Sequence, residues 1–192
     1  MLFNYFRNHF GGKKNTLLWA QDFIAWKLGK YSSAKHINWD LVKRVIFVCK
    51  GNICRSAYAE VYFTHTYPHI QTASCGVTTS NGEPANETAQ EIAQERGLNL
   101  ANHQTSRPEV IGISSSDLVV YMEPAHKIKF DQNITAGQTP QYTYLGIWGN
   151  NPPFIPDPYA TSFEYFDNCF KLIEKSINCL AIKLEKNRKC TK

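Results

Sequence analysis

The segment Val45–Ser56 reads VIFVCKGNICRS, and it decides the fold. Its first four residues are β-branched or aromatic without interruption, which is typical of a strand buried on both faces of a parallel sheet. A glycine-containing loop follows at once, and the residues from Ser56 to about Thr66 are predicted to form a helix. A buried strand that runs through a short loop into a helix predicts the start of a βαβ unit and an α/β fold.

Further strands and helices alternate along the rest of the chain. Strands are predicted at Gln71–Ser74, Leu118–Met122 and Tyr142–Leu145, and helices at Glu83–Arg96 and from Ser162 to about Leu184. The last helix places aromatic and aliphatic side chains at helical spacing, which is typical of a face turned towards a core. We therefore expect a parallel sheet with helices on both faces.

Length and composition indicate a globular protein with one main domain. The chain has 192 residues, of which 43% are hydrophobic and 19% charged, enough to bury one sizeable core. No stretch approaches the run of about 18 apolar residues that a membrane span needs, and the N-terminus lacks a signal-peptide pattern. The six cysteines show neither a C-x-x-C pair nor zinc-like spacing, so we expect a cytoplasmic protein without a metal or cofactor.

Residues 1–42 are predicted to form a basic extension in front of a domain that spans residues 43–192. Residues 1–50 carry nine lysines and arginines against two aspartates, which indicates a docking segment rather than a nucleic-acid-binding fold. A helix is predicted at Asn15–Lys30 and a linker at Gly29–His36. The helix either packs on the domain, as an extra layer or a dimer contact, or lies on a membrane surface. We expect a monomer or a weak homodimer, without a nucleic-acid partner.

The loop from Cys49 to Arg55 combines a nucleophile with an anion site. It lies at the carboxyl end of a parallel strand, where ligands bind in α/β sheets, and it opens a helix whose N–H groups and dipole favour an anion. Gly51 and Asn52 favour unusual backbone angles, and the planar fork of Arg55 can bind two phosphate oxygens. A cysteine among these groups is expected to be a thiolate at neutral pH.

A second motif, Ile155–Tyr159, supplies a candidate proton donor. Transfer of a phosphoryl group to sulfur needs a proton for the leaving oxygen. Asp157 lies between two prolines of this motif, which fix the backbone around its carboxyl group. The sequence therefore predicts that Cys49 and Asp157 act at one site.

Together these motifs resemble the low-molecular-weight protein tyrosine phosphatase family. The resemblance covers about residues 43–185 and rests on Val48–Ser56, Thr72–Gly76, Gly97–His103, Tyr121–His126 and Asp157–Tyr159. It implies a flavodoxin-like fold, with three layers around a four-stranded parallel sheet in the order 2-1-3-4. It also implies hydrolysis of phosphotyrosine in proteins through a phosphocysteine intermediate. By analogy with bacterial members, the implied targets are a tyrosine kinase or a polysaccharide-export regulator.

The resemblance assigns roles by position. Cys49 is the implied nucleophile, Arg55 the phosphate clamp, and Asp157 the acid that then serves as the base for the hydrolytic water. The implied phosphate-binding residues are Lys50, Gly51, Asn52, Ile53, Cys54 and Arg55. The implied supporting network consists of Asn52, Ser56, Ser74 and His103. The implied substrate cleft is lined by Lys50 and Tyr159, and Cys54 is the implied redox partner that traps oxidised Cys49 as a disulfide.

Two positions depart from the family pattern, and two other functions remain open. Ala57 stands where a proline is usual, and Ala160 stands where an aromatic residue is common, so one wall of the cleft is expected to be missing. A thiol-dependent arsenate reductase would need a close pair of cysteines near residues 120–130, where the sequence has none. A non-catalytic phosphate-binding module would need neither a thiolate nor an acid.

Overall fold

The computed structural model describes residues 13–134, 137 and 139–189. Its strands are β1 Arg44–Cys49, β2 Gln71–Gly76, β3 Asp117–Tyr121 and β4 Gln141–Tyr144. Its helices are α1 Lys13–Lys27, α2 Arg55–Thr66, α3 Glu87–Glu95, α4 Pro108–Ile111, α5 Pro124–Asp131 and α6 Phe163–Lys189. Short 3₁₀ turns lie at Ser32–Lys35, Trp39–Leu41 and Leu145–Gly149.

The four strands form one parallel sheet in the order β2-β1-β3-β4, which confirms the predicted order. The first strand lies in the middle, so that Val48 is paired with Cys75 on one side and with Tyr121 on the other. Its residues Val45–Val48 have no solvent exposure. The unbroken apolar run in the sequence follows from this position, because both faces of a central parallel strand are covered.

Helices cover both faces of the sheet, as predicted. Val45 and Phe47 of β1 belong to a core formed with α2, α3 and α6, in which the ring of Phe170 stacks on that of Tyr58 at 3.8 Å. Ile46 and Val48 point to the opposite core, which includes side chains from α5 and from the N-terminal extension. The inward stripe predicted for the last helix is confirmed for Phe166, Phe170, Ile173, Ile177 and Leu180, which are buried, but it is wrong for Phe163, which begins the helix and is 42% exposed.

The N-terminal extension packs on this second core beside the edge strand β4. The ring of Tyr31 meets that of Tyr144 edge to face at 5.4 Å, and its hydroxyl donates to Asp22 at 2.5 Å. The hydroxyl of Thr143 donates to the carbonyl of Ala34 at 2.7 Å. The segment predicted as a linker is therefore held against the sheet. The domain boundary after residue 42 stays a prediction.

The first helix buries only part of its predicted apolar side. Ala25 and Trp26 pack against the second core, whereas Leu17 and Ile24 are 61% and 59% exposed. Leu17 and Ile24 therefore project away from the sheet, and the helix packs on the domain through its other side. No helix among the residues that the structure describes is long and apolar enough to cross a membrane.

Three further details differ from the sequence predictions. Helix α3 begins at Glu87 instead of Glu83, because Asn86 caps it by accepting a hydrogen bond from Ala89 N at 3.2 Å. Pro84 belongs to an isolated bridge with Gln104 before that helix. The short helices α4 and α5 were not predicted; each begins with a proline, which suits the first turn of a helix.

Candidate active site

The loop between β1 and α2 is packed tightly against the end of β2. Cys49 ends β1 and Arg55 begins α2, as the strand-to-helix pattern predicts. A Cβ atom on Gly76 would lie 2.9 Å from the carbonyl carbon of Gly51, so only glycine fits at the end of β2. The amide of Thr78 donates to the carbonyl of Lys50 at 2.8 Å. The loop is thus held from behind by the neighbouring strand and its continuation.

Asn52 is the residue that gives the loop its shape. It has a left-handed backbone with φ of 56°, and it is fully buried. Its side-chain amide donates to Ser56 Oγ at 2.9 Å and to Ser74 Oγ at 2.7 Å, and its Oδ1 accepts from the amide of Ser106 at 2.9 Å. Gly51 does not have the positive φ that its sequence position suggested, so asparagine alone supplies the unusual angle.

The sulfur of Cys49 lies at the centre of the predicted supporting network. It accepts a hydrogen bond from Asn52 N at 3.2 Å, and it lies 3.0 Å from Ser56 Oγ. His103 Nε2 lies 2.7 Å from the carbonyl oxygen of Asn52, and because that oxygen can only accept, Nε2 carries the hydrogen. The structure therefore brings Ser56, Ser74 and His103 together around Asn52, behind the loop.

Arg55 is a buried cation held between two carboxylates. Its Nη1 donates to Glu123 and to the carbonyl of Ile155 at 2.8 Å, and its Nη2 lies 3.0 Å from Asp157 Oδ2. Burial lowers the pKa of Arg55, but the charges of Glu123, Asp157 and Cys49 raise it by more, so the guanidinium stays charged. Within the described part of the chain, its Nε is a buried donor without a hydrogen-bond partner.

Asp157 lies on a loop that is anchored to the end of β3. Ile155 N donates to the carbonyl of Met122 at 2.8 Å, and Met122 N donates in turn to Val48 O at 3.1 Å. On the other side, Cys169 Sγ lies 3.6 Å from the carbonyl of Pro156. These contacts bring the Asp157 carboxyl, 35% exposed, to the mouth of the loop, where solvent and a substrate can reach it.

These elements enclose a cavity of about 160 Å3 on the outer side of the loop. It is lined by Cys49, Lys50, Gly51, Ile53, Cys54, Arg55, Thr78, Asp157 and Tyr159. Asn52 is the one residue of the predicted phosphate-binding set that does not line it, because its side chain points backwards into the network. The two cleft residues predicted by resemblance, Lys50 and Tyr159, lie at the cavity as expected.

Four residues of the site escaped the sequence prediction: Glu60, Thr78, Ser106 and Glu123. Glu60 accepts a hydrogen bond from Ser74 Oγ at 2.5 Å, and it follows Ser56 by one helical turn, a spacing that could have placed it on the same side. Glu123 is the second residue after the buried strand β3, so its position at the carboxyl edge of the sheet was also readable. Thr78 and Ser106 carry no such signal, because loop paths bring them to the site.

The second cysteine of the loop differs from the first in its environment. Burial raises the pKa of the Cys54 thiol, and the negative charge of Cys49 raises it further. Cys54 therefore keeps its proton as long as Cys49 is a thiolate. No group of three His, Cys, Asp or Glu side chains able to hold a metal ion occurs in the described ranges.

The fold and the site together define a class of protein: a small α/β phosphatase with a cysteine in its phosphate loop. The family model that matches residues 44–190 is described as low molecular weight phosphotyrosine protein phosphatase. The match spans most of the chain, so the protein belongs to this family and is a protein tyrosine phosphatase by class.

Known relatives agree with this assignment. The chain is 30% identical over 136 residues to the low molecular weight protein-tyrosine-phosphatase Wzb of Escherichia coli, which covers 71% of the chain and 91% of Wzb. The structure of Wzb from Vibrio vulnificus in complex with benzylphosphonate matches with a TM-score of 0.64 and 29% identity, over 74% of this chain and 99% of that one. The YwlE arginine phosphatase of Geobacillus stearothermophilus matches with a TM-score of 0.66 and 26% identity, over 76% and 95%.

Proposed function

We propose that this protein hydrolyses phosphotyrosine in proteins, with Cys49 as the nucleophile, Arg55 as the phosphate clamp and Asp157 as the acid and base. One observation carries the proposal: the sulfur of Cys49, the guanidinium of Arg55 and the carboxyl of Asp157 line the same cavity of about 160 Å3. A site that only binds phosphate needs the cation but neither the thiolate nor the acid, so this combination favours catalysis.

In the first step, the thiolate of Cys49 attacks phosphorus while the bond from phosphorus to the tyrosine oxygen breaks. Asp157 gives its proton to that oxygen, so that tyrosine leaves as a neutral phenol. Hydrogen bonds from Asn52 N and Ser56 Oγ hold the sulfur in place during the attack. The products of this step are the dephosphorylated tyrosine residue of the substrate protein and phosphocysteine at position 49.

In the second step, water attacks the phosphocysteine. Asp157, now ionised, takes a proton from the water, the sulfur–phosphorus bond breaks, and inorganic phosphate leaves with Cys49 again a thiolate. Arg55 Nη2 lies 3.0 Å from Asp157 Oδ2, and it is the donor that phosphate oxygens would use in place of that carboxylate. Binding of phosphate thereby frees the carboxyl group of Asp157 for proton transfer.

Hydrolysis of p-nitrophenyl phosphate tests the nucleophile. We expect Cys49→Ser to abolish turnover, because a serine hydroxyl keeps its proton at neutral pH. Cys179→Ser, on the partly exposed α6, is the matched control and should keep the wild-type rate. Equal turnover by Cys49→Ser and wild type would sink the proposal. Absence of turnover in the wild type would favour a non-catalytic module.

A comparison of leaving groups tests the acid. Asp157→Asn removes the proton but keeps the shape of the side chain. We expect kcat to fall about 100-fold or more on phenyl phosphate, which needs protonation, and less on p-nitrophenyl phosphate, whose leaving group is stable as an anion. Equal small losses on both substrates would show that Asp157 is not the acid.

Phosphotyrosine is the substrate that the cavity walls favour. Tyr159 is 58% exposed at the mouth and offers a surface on which a phenyl ring can stack, and Ile53 adds an apolar wall. Lys50 and Thr78 also line the mouth, and Lys129 Nζ lies 3.4 Å from Thr78 Oγ1. These two lysines favour acidic residues beside the phosphotyrosine.

Peptide assays test this preference. We expect kcat/KM on phosphotyrosine peptides to exceed that on matched phosphoserine and phosphoarginine peptides at least tenfold. Phosphoarginine is included because YwlE is an arginine phosphatase. Glutamates flanking the phosphotyrosine should raise kcat/KM, and Lys129→Ala should reduce that gain. A higher rate on phosphoarginine would overturn the assignment of substrate.

The exposed side of α1 supports recruitment to an anionic membrane surface, where a tyrosine kinase or an export regulator would be the target. Leu17, Ile24 and Leu28 are 61%, 59% and 81% exposed, and Lys27 and Lys30 lie on the same segment. Apolar side chains beside lysines suit the boundary between lipid tails and anionic head groups. The opposite side of the helix packs on the sheet, so recruitment requires no unfolding.

Co-sedimentation with phosphatidylglycerol vesicles tests recruitment. The full chain should pellet, and the variant with serine at positions 17, 24 and 28 should not. Ile182→Ser, an exposed isoleucine of α6, is the matched control. Equal pelleting of wild type and triple variant would exclude this surface. The predicted state of a monomer or weak homodimer is tested on the same samples by sedimentation velocity.

A cytoplasmic location and a redox role for Cys54 complete the proposal. The five cysteines that the structure describes are free thiols, which suits a reducing compartment. Burial is the main cause of the raised pKa of Cys54, and oxidation of Cys49 to a sulfenic acid removes the second cause, the charge of Cys49. Attack of the Cys54 sulfur on the sulfenic acid then closes a disulfide and releases water. After inactivation by peroxide, a reductant should restore the activity of the wild type but not that of Cys54→Ser.

A further inference from the structure

We propose that Glu123 is a positioning residue that turns one edge of the Arg55 guanidinium towards the phosphate. The proposal rests on the proposed role of Arg55 as the clamp and adds a residue whose task is orientation. Glu123 is the second residue after β3, where the chain passes into α5, and its side chain is only 16% exposed.

The donors of Arg55 are unevenly used. The two hydrogens of Nη1 are matched by two acceptors, the Glu123 carboxylate and the carbonyl of Ile155. Nη2 has one partner, Asp157, and Nε has none among the described residues. Nε and Nη2 form one edge of the planar fork, so the edge that remains for a bidentate anion is the one that Glu123 does not touch.

The two acceptors of Nη1 belong to one frame, a set of backbone hydrogen bonds at the end of the sheet. Ile155 N donates to the carbonyl of Met122, the residue before Glu123, at 2.8 Å. Met122 N donates to Val48 O in the central strand, one residue before Cys49, at 3.1 Å. The frame therefore relates the orientation of Arg55 to the position of the Cys49 sulfur, since both are fixed to the same strand end.

A second neighbour keeps Glu123 available for Arg55. His126 Nε2 lies 3.7 Å from Glu123 Oε1, and this histidine is buried. Burial, with the nearby charges of Arg55, Lys129 and Lys50, holds the pKa of His126 well below its ordinary value. The imidazole is therefore neutral and does not compete with Arg55 as a cation.

A positioning role and a simple charge effect of Glu123 predict opposite changes in phosphate affinity for Glu123→Gln. Removal of a negative charge near an anion site strengthens phosphate binding if charge alone matters. Loss of the charge-assisted bond lets the guanidinium turn and weakens phosphate binding if orientation matters. The sign of the change in affinity thus separates a positioning role from a bystander charge.

Calorimetric titration of inorganic phosphate measures that sign without turnover. We expect the Kd for phosphate to rise at least tenfold in Glu123→Gln, and to stay within twofold of the wild type in Glu91→Gln, an exposed glutamate of α3. Glu123→Asp keeps the charge and should recover part of the affinity. In the Arg55→Lys background, Glu123→Gln should have no further effect.

A Kd that is unchanged or lower in Glu123→Gln overturns the proposal, and so does an equal loss in both Arg55 backgrounds. If Glu123→Gln is poorly folded, the comparison of Glu123→Asp with the wild type decides, since a shortened carboxylate must still weaken phosphate binding. Failure of the wild type to hydrolyse p-nitrophenyl phosphate would refute the enzymatic function. The Kd for phosphate would still test the positioning role of Glu123, because it is measured without turnover.

Discussion

Substitution of Asn52 by alanine should destabilise the protein more than its size suggests. The change removes three hydrogen bonds of the side chain, to Ser56, Ser74 and Ser106, each worth about 0.5–1.5 kcal/mol. It also places alanine at a φ of 56°, where an L-residue other than glycine or asparagine costs about 1 kcal/mol more. The sum is a loss of about 3–5 kcal/mol in the free energy of unfolding.

Thermal and urea unfolding measure this loss. For a chain of this size about 1 kcal/mol corresponds to about 3 °C, so the Tm of Asn52→Ala should fall by about 9–15 °C. Asn86→Ala removes the single capping bond of α3 and should cost about 1 kcal/mol, which makes it the matched control. If Asn52→Ala costs no more than Asn86→Ala, the side chain of Asn52 does not hold the loop through its three hydrogen bonds.

Two further predictions concern pH and the acid loop. Burial keeps His126 neutral in the folded protein, whereas the unfolded chain takes up a proton at this residue below about pH 6.5. The free energy of unfolding should therefore fall on acidification by up to about 1.4 kcal/mol per pH unit. Urea titrations at several pH values should show a smaller fall in His126→Gln, and equal pH dependence of the two proteins would contradict this. Ala160 has a left-handed φ of 59° on the exposed loop after Asp157. Ala160→Val should therefore lower the free energy of unfolding by about 1–2 kcal/mol, whereas Ala160→Gly should change it little. Equal stabilities of the two variants in urea unfolding would count against backbone strain at this position.

The central part of the fold was readable because burial leaves a direct mark on the sequence. The run Val45–Val48 is buried on both faces, and a run of this kind is found in few other places than the middle of a parallel sheet. The stripe on α6 is similarly a direct record of the face that packs on the sheet. The predicted start of α3 at Glu83 was wrong, because Pro84 suggested a helix start whereas Asn86 supplies the cap.

The site could be predicted where its residues are close in sequence, and less well where they are distant in sequence. Cys49 and Arg55 share one loop, and Asp157 is marked by its flanking prolines. Ser106 reaches the site through a loop path, which no local pattern records, whereas the position of Glu123 at the end of a buried strand could have been read from the sheet topology. The sequence left open whether α1 packs on the domain or lies on a membrane surface, because propensity predicts a helix but the sheet decides which of its sides is covered.

The phosphorylated intermediate is the most direct test of the account. The Asp157→Ala variant, which lacks the base of the second step, is mixed with p-nitrophenyl phosphate, whose leaving group needs no proton, and is then quenched within milliseconds and digested for mass spectrometry. We predict a phosphoryl group on the peptide that contains Cys49, and none in the Cys49→Ser control. Release of p-nitrophenol without any phosphocysteine, or a phosphoryl group on another residue, would show that Cys49 is not the nucleophile.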